Sequence, residues 1–290
     1  MKSYAKFVDT VLNLSEAIHQ DIKNIMDDTS YNHKSKLNRI TSKIRDFASK
    51  GIDSGIENST PKKGSSRAVF FPKDDHELHL DGKPAKMKTA VKIAFKGALD
   101  AHTGSHMLLG EHQNELESDH FTRNEYGMIH HDSSTGHYHT NHESGVLAPV
   151  IDHHDDHHHL TMGHARNFTK SEFKSTTKTE SHPKGLDFDK MYHHLNHDYQ
   201  QAHGKSHWGG GLSDEEHEHI ASHPLVQKVK DFMYTTGQHP ADLVKGNWGM
   251  WKHPHTGVEH PVIRDYGYSD EVGKLYNTAR RNKNKLHGGW

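Results

Sequence analysis

The spacing of apolar residues changes along this chain, and that change most constrains its fold. Between Tyr4 and Met26, and again between Leu37 and Phe47, apolar residues recur at the helical intervals of three and four. Short β-rich runs follow at 67–71 and 89–95, joined by a polar connection that contains Asp81-Gly82. The chain is therefore predicted to begin with a helical hairpin and to continue into a sheet.

After residue 96, the spacing of apolar residues again changes from helical to strand-like and back. Residues 97–118 are predicted to be mostly helical, and the apolar runs 145–151 and 160–162 are predicted to form a second pair of strands. From Leu186 onward the spacing is helical again, with a capping box from Ser213 to Glu216. Helices, strands and helices in this order, without a fixed repeat, predict an α+β fold with segregated elements.

The segment from Gly51 to Gly64 has the composition of a linker and ends the first helical region. We therefore divide the chain into a helical hairpin (1–58), a β-rich part (59–165) and a mostly helical part (166–290).

Composition limits the size of the core and the choice of partners. Only 31% of residues are hydrophobic, the mean hydropathy is -0.96 and the formal charge is -2, so we expect modest stability and no bulk attraction to nucleic acid or membranes. No window approaches the apolar length of a membrane span, and the N-terminus lacks an apolar signal segment. Together with the absence of cysteine, this predicts a cytoplasmic protein without a nucleic-acid partner.

Two neighbouring segments carry the most specific chemical signal. The first, 239–249, reads His-Pro-Ala-Asp-Leu-Val-Lys-Gly-Asn-Trp-Gly, and the second, 261–267, reads Pro-Val-Ile-Arg-Asp-Tyr-Gly. Asn247 and Asp265 supply the hard oxygen ligands that magnesium prefers. The apolar residues before Asp265 predict a strand that would hold its carboxylate on a rigid element.

These segments resemble the catalytic loop and the metal-binding triplet of protein kinases. The resemblance implies that Asp242 is the catalytic base and that Asn247 and Asp265 bind Mg²⁺. The sequence departs from the kinase pattern in the extra residue between His239 and Asp242, in Ala241 where kinases have arginine, and in Tyr266 where they have phenylalanine.

The resemblance continues upstream in the expected order. Gly64, Ser65 and Ser66 lie where kinase-like proteins carry the hairpin that covers the phosphates of ATP, although only the first glycine of that pattern is kept. Ala90-Val-Lys92-Ile matches the strand whose lysine orients the phosphates. Glu115 on the following helix would pair with Lys92, and Glu111, which shares its helical face, is the second choice. Two runs, Gly-Ser-Ser-Arg-x-Val-Phe at 64–70 and Val-Ile-x-Asp-Tyr-Gly-x-Ser-x-Glu-Val at 262–272, are together most similar to kinase-like proteins encoded by bacteriophages.

The resemblance implies a two-lobed protein-kinase-like fold with a truncated, mostly helical C-terminal lobe. It also implies an ATP- and Mg²⁺-dependent phosphotransferase that binds nucleotide and an unknown acceptor or partner protein. Only 25 residues follow Asp265, so we expect no platform for peptide substrates. The alternative is a catalytically silent fold that serves as a phage virion or host-interaction protein, located in the host cytoplasm or in the virion.

The chain contains 33 histidines, which raises the possibility of a metal-binding protein. His137, His139 and the histidines of 153–159 could bind zinc, copper or nickel. Their spacing does not match two separated ligand pairs, so a solvated polar loop between strands is the preferred interpretation. Trp208, Trp248 and Trp251 are interpreted as buried anchors, since no dense basic patch accompanies them.

Overall fold

The computed structural model describes residues 24–25, 28, 30, 33–49, 57, 62–63, 67–94, 125–153, 159–204 and 211–266. The chain divides into two compact units. The first comprises Met1–Glu117, Val150–His164 and Lys274–Trp290, and the second comprises Ser118–Pro149 and Ala165–Gly273. Both units contain helix and strand, which confirms the α+β class.

The elements are numbered here in chain order. They are α1 (His33–Ser49), β1 (Lys62–Lys63), β2 (Arg67–Phe70), β3 (His76–Leu80), β4 (Lys83–Met87), β5 (Thr89–Ala94), β6 (Ile129–Asp132), β7 (His137–Thr140), β8 (Val150–His153), β9 (His159–Gly163), β10 (Ala165–Arg166), α2 (Lys170–Thr176), α3 (Phe188–Ala202), α4 (Asp214–Ala221), α5 (Pro224–Thr236), β11 (Trp248–Lys252) and β12 (Glu259–Ile263). Single 3₁₀ turns occupy Pro240–Asp242 and Lys245–Asn247.

The first unit is built on a five-stranded antiparallel sheet with the order β1-β2-β5-β9-β8. Its central strands bury Val91 and Leu160 completely. The strands predicted at 67–71 and 89–95 are confirmed as β2 and β5. The connection between them forms the β3–β4 hairpin, which turns at Asp81 and Gly82 with φ angles of 51° and 74°, because a two-residue hairpin turn of this hand needs positive φ at both positions.

The helices of the second unit begin at side-chain caps. Thr169 and Glu172 form a capping box at α2, and Ser213 and Glu216 form the predicted capping box at α4. Helix α5 ends at Gly237, which adopts the left-handed conformation with φ 67°. These local signals fix where the helical segments start and stop.

An aromatic cluster forms the core of the second unit. Trp248 is fully buried, and its ring centroid lies 5.8 Å from that of Phe188 and 6.2 Å from that of Phe173. Phe168 stacks on Phe173 at 5.3 Å. Trp251 is 1% exposed. The prediction that Trp248 and Trp251 are buried anchors is therefore confirmed, whereas Trp208 lies outside the described residues.

The expectation of helical structure throughout the region after Leu186 is wrong for residues 248–252, which form strand β11, whereas the strand predicted before Asp265 is confirmed as β12. Residues 248–252 and 259–263 form the antiparallel hairpin β11–β12, to which β10 adds a third strand. The first four residues of β11 are all buried, so the strand shows no alternation of polar and apolar residues. Without that period of two, a short buried strand cannot be distinguished from helix by pattern.

Other predictions are met in part or lie outside the described residues. The second helix of the N-terminal hairpin is confirmed as α1, while the helices predicted over 4–26 and 97–118 lie largely or wholly outside. The predicted strand pair is confirmed as β8 and β9, although β8 begins only at Val150. Within the described ranges, no helix combines the length and the apolar character needed to cross a bilayer.

Candidate functional site

The loop from His239 to Asn247 is shaped by two short 3₁₀ turns. His239 precedes the first turn, and its Nδ1 accepts a hydrogen bond from the backbone N–H of Ala241 at 3.0 Å. Pro240 occupies the first position of this turn, where its fixed φ suits the conformation. The loop is therefore held by its own residues before any ligand is considered.

Asn247 closes this loop onto Asp242. Its Nδ2 donates to the backbone carbonyl oxygen of Asp242 at 2.7 Å and to the carboxylate Oδ1 of Asp242 at 2.7 Å. The other carboxylate oxygen, Oδ2, accepts from Nε2 of Gln238 at 3.2 Å. Two neutral amides thus fix the orientation of the half-buried Asp242 carboxylate.

The β11–β12 hairpin brings Asp265 back to Asn247. Trp248 pairs with Ile263 at the open end of the hairpin, so the residues just outside the pair are neighbours. The backbone carbonyl of Asn247 accepts from the N–H of Arg264 at 2.8 Å and from the N–H of Asp265 at 3.3 Å. Asp242, Asn247 and Asp265 are therefore joined by one set of hydrogen bonds.

Arg264 anchors the residue before Asp265 to two other segments. Its guanidinium donates to the carbonyl oxygen of Ala165 at 2.8 Å, to Oδ1 of Asn167 at 2.7 Å and to the carbonyl oxygen of Gly246 at 3.0 Å. Burial lowers the pKa of Arg264, and the charge of Asp265 opposes that shift. An arginine titrates far above neutral pH, so the side chain remains a cation beside Asp265.

The oxygen donors at this site are amide and carboxylate groups, which are among the ligands that Mg²⁺ takes in proteins. The amide nitrogen of Asn247 faces Asp242, which makes its Oδ1 the atom of this side chain able to meet a cation. Among the described residues, no group of three or more histidine and acidic side chains could hold a metal ion. Mg²⁺ does not require such a group, because it takes one or two carboxylates together with substrate phosphates and water.

The remaining predicted residues belong to other parts of the chain. Lys92 lies on β5 of the first unit, where it pairs with Val69 and Leu160 in the sheet and is 5% exposed. Glu115, the alternative Glu111, and the Gly64, Ser65 and Ser66 segment lie outside the described residues, as do the histidines 154–158. Their roles stay predictions.

Two residues of the site were not found from the sequence. Gln238 lies between the end of α5 and the 3₁₀ turn, where no periodic pattern marks it. Arg264 could have been noticed as a cation next to Asp265, but its three acceptors come from distant segments and leave no local signal.

Comparisons with known proteins do not assign a family to this chain. No protein-family model matches it, and no curated protein matches it. The function must be inferred from the geometry of the loop and hairpin.

Proposed function

We propose that this protein is an ATP- and Mg²⁺-dependent phosphotransferase with a two-lobed, protein-kinase-like fold. The observation that carries the proposal is the hydrogen bonding of Asn247, which joins Asp242 and Asp265 through one residue. A base, an amide ligand and a carboxylate ligand occur in the same order in the kinase catalytic loop and triplet. The intervening β11–β12 hairpin gives a physical reason for their proximity.

Each residue has a distinct role in the proposed reaction. Asp242 accepts the proton of the attacking hydroxyl group, while Asn247 Oδ1 and the Asp265 carboxylate hold Mg²⁺. Magnesium, when bound, neutralises the charge that develops on the transferred phosphoryl group. Lys92 orients the phosphates of ATP, and Glu115 positions Lys92. The segment of Gly64, Ser65 and Ser66 covers the phosphates.

The catalytic contribution of Asp242 comes from its fixed orientation. A general base must lie within hydrogen-bonding reach of the proton it takes. The amides of Asn247 and Gln238 hold the carboxylate without adding a charge beside it. Positioning and charge neutralisation are the main sources of catalysis in phosphoryl transfer, so a prealigned carboxylate suits this chemistry.

Nucleotide binding is tested by thermal unfolding. Millimolar ATP with Mg²⁺ is expected to raise the melting temperature, because a ligand that binds only the native state stabilises it. Asp265→Ala should abolish the shift, whereas Asp214→Ala, which removes an exposed carboxylate on α4, should retain it. An unchanged midpoint in the wild-type protein would refute a working nucleotide site.

Turnover is tested with labelled ATP. We expect transfer to a small molecule or to the protein itself, and loss of that transfer in Asp242→Asn with nucleotide binding retained. Efficient, sequence-selective labelling of peptides would contradict the expectation that the acceptor is a small molecule or the protein itself.

One observation favours the silent alternative. Both carboxylate oxygens of Asp242 already accept hydrogen bonds from amides, so an acceptor hydroxyl would have to compete with them. Nucleotide binding without labelling of any acceptor would support a kinase-like fold that acts as a virion or host-interaction protein.

A further inference from the structure

A second concave site lies within the second unit and is separate from the loop that contains Asp242. It encloses about 200 Å³ between the first turns of α5, the end of α2, the turn at 142–145 and the start of β12. The side chains around it include His142, Lys228 and His260. None of the residues that line it belongs to the segments 238–247 or 264–266.

Lys228 brings a partly buried positive charge to this cavity. Its ammonium group donates to the backbone carbonyl of His142, which leaves two further N–H groups on the same nitrogen. Burial lowers the pKa of Lys228, and the exposed carboxylate of Glu143 opposes that effect. The charge is thus only partly compensated by the surrounding protein.

Two histidines add to this excess of positive charge. The ring of His142 lies 6.1 Å from that of His260, measured between centroids. The pKa of His260 is lowered first by burial and then by His142, His253 and Lys228. The ammonium group of Lys228 repels a proton on His260, and none of these three neighbours supplies a negative charge to hold that proton.

The other two histidines near the cavity are fixed in their neutral form by hydrogen bonds. Nδ1 of His223 accepts from the N–H of Leu225, so Nε2 carries the proton that it shares with the carbonyl oxygen of Thr177 at 2.8 Å. Nδ1 of His253 likewise accepts backbone N–H groups, at 3.2 and 3.3 Å. Lys228, His142 and His260 are therefore the groups at this cavity that can carry charge.

The volume limits the size of the ligand. Pockets for drug-sized molecules or cofactors usually enclose roughly 300–1,000 Å³, so this cavity is small for a nucleotide. A tetrahedral oxyanion is compact, and its charge complements one ammonium group and two imidazoles. We propose that this cavity binds a phosphate group, either as the free ion or as a small phosphate monoester, through Lys228, His142 and His260.

Binding at this cavity should be linked to proton uptake. A bound phosphate stabilises a proton on His260 and offsets the repulsion of that proton by Lys228. The affinity should therefore depend on pH through His260, whose pKa is lowered by burial, and through the second ionisation of the phosphate group, whose pKa is about 6 in a monoester.

The experiment is an NMR titration of the full chain with inorganic phosphate at constant ionic strength. Imidazole signals of His142 and His260, assigned with His142→Gln and His260→Gln, should shift saturably. Lys228→Gln should weaken binding by at least about tenfold, which is the loss expected for one charge-assisted hydrogen bond. Lys228→Arg should keep most of the affinity, which separates a lost charge from a disturbed fold.

Lys170→Gln is the matched control, because this exposed lysine pairs with Asp189 and does not line the cavity. A parallel titration with glycerol phosphate identifies the source of the group: tighter binding of inorganic phosphate indicates the free ion, and tighter binding of glycerol phosphate indicates a monoester. No saturable shift with either ligand, or equal affinity in Lys228→Gln, would overturn the proposal. Asp265→Ala should leave phosphate binding intact, so failure of the nucleotide site would be seen separately.

Discussion

At the scale of single residues, Asn247 contributes most to the geometry of the candidate site. Its side-chain amide donates hydrogen bonds to the backbone carbonyl and to the carboxylate of Asp242. Its backbone carbonyl accepts hydrogen bonds from the N–H groups of Arg264 and Asp265, which follow β12. Asparagine is suited to this place because one amide provides two donors on one side and an acceptor on the other.

We predict that Asn247→Ala lowers the free energy of unfolding by about 1–3 kcal/mol, because the Asp242 carboxylate and carbonyl lose a shared donor. Asn247→Asp should also destabilise the protein, since it places a second carboxylate beside the first. Urea unfolding at neutral pH measures both effects.

The control for this experiment is Asn196→Ala. Its side chain donates only to a backbone carbonyl one turn earlier in α3, and alanine favours helix, so we expect a change within about 0.5 kcal/mol. Equal effects at Asn196 and Asn247 would show that Asn247 does not hold the loop.

At the scale of elements, the β11–β12 hairpin decides where the site residues meet. Gly249 pairs with Val262 in this hairpin and faces strand β10 at very short range. A Cβ atom at Gly249 would lie 2.7 Å from Cβ of Ala165 and 2.8 Å from its carbonyl oxygen. The close approach of β10 to β11 therefore requires glycine.

Gly249→Ala should lower the free energy of unfolding by about 1–3 kcal/mol, the range for overpacking of a filled core. Gly246→Ala is the matched control, since an added Cβ there meets nothing within 4 Å. Thermal and urea unfolding measure both variants. A Gly249→Ala protein as stable as the wild type would mean that β10 can move away from β11 without loss.

The sequence predicted the elements that carry their own local signal. The capping box at Ser213 and the turn at Asp81-Gly82 depend on residues a few positions apart, so they could be identified without the fold. Strand β11 could not, because burial on both faces removes its alternation. For the candidate site, the pairing of Asp242 with Asn247 was predicted from the resemblance to the kinase catalytic loop, whereas the contacts of Gln238 and Arg264 arise from loop conformation.

At the scale of the whole molecule, the histidines do not form a uniform solvated set. His182, His194, His223 and His253 are buried, with exposures between 2% and 4%. Burial is the largest cause that lowers the pKa of His194 and of His223. Composition alone could not separate these side chains from the exposed ones, because burial is decided by tertiary packing.

The lowered pKa values of His194 and His223 predict that the stability of the fold decreases in acid. Their pKa is lower in the folded chain than the ordinary 6.5, so the unfolded chain takes up protons first as the pH falls. The free energy of unfolding should be constant above about pH 7.5 and should fall below about pH 6.5, by at most ~1.4 kcal/mol per pH unit for each histidine. Urea unfolding between pH 8 and pH 5 measures this slope.

His223→Gln should reduce the slope, because it removes one of the two groups. His193→Gln, which replaces an exposed residue on α3, should leave it unchanged. Stability independent of pH over this range would contradict the assignment of neutral buried imidazoles.

The three hydrogen bonds of Arg264 have a consequence for how occupancy of the site could be detected. Arg264 directly precedes Asp265, and its guanidinium donates hydrogen bonds to the backbone carbonyl of Ala165 and to the side chain of Asn167. If a ligand at Asp265 changes the mobility of residues 165–167 through Arg264, a restraint on those residues changes the affinity for that ligand by the same factor. Hydrogen exchange at the amides of 165–167 would then report remotely on a cation bound at Asp265.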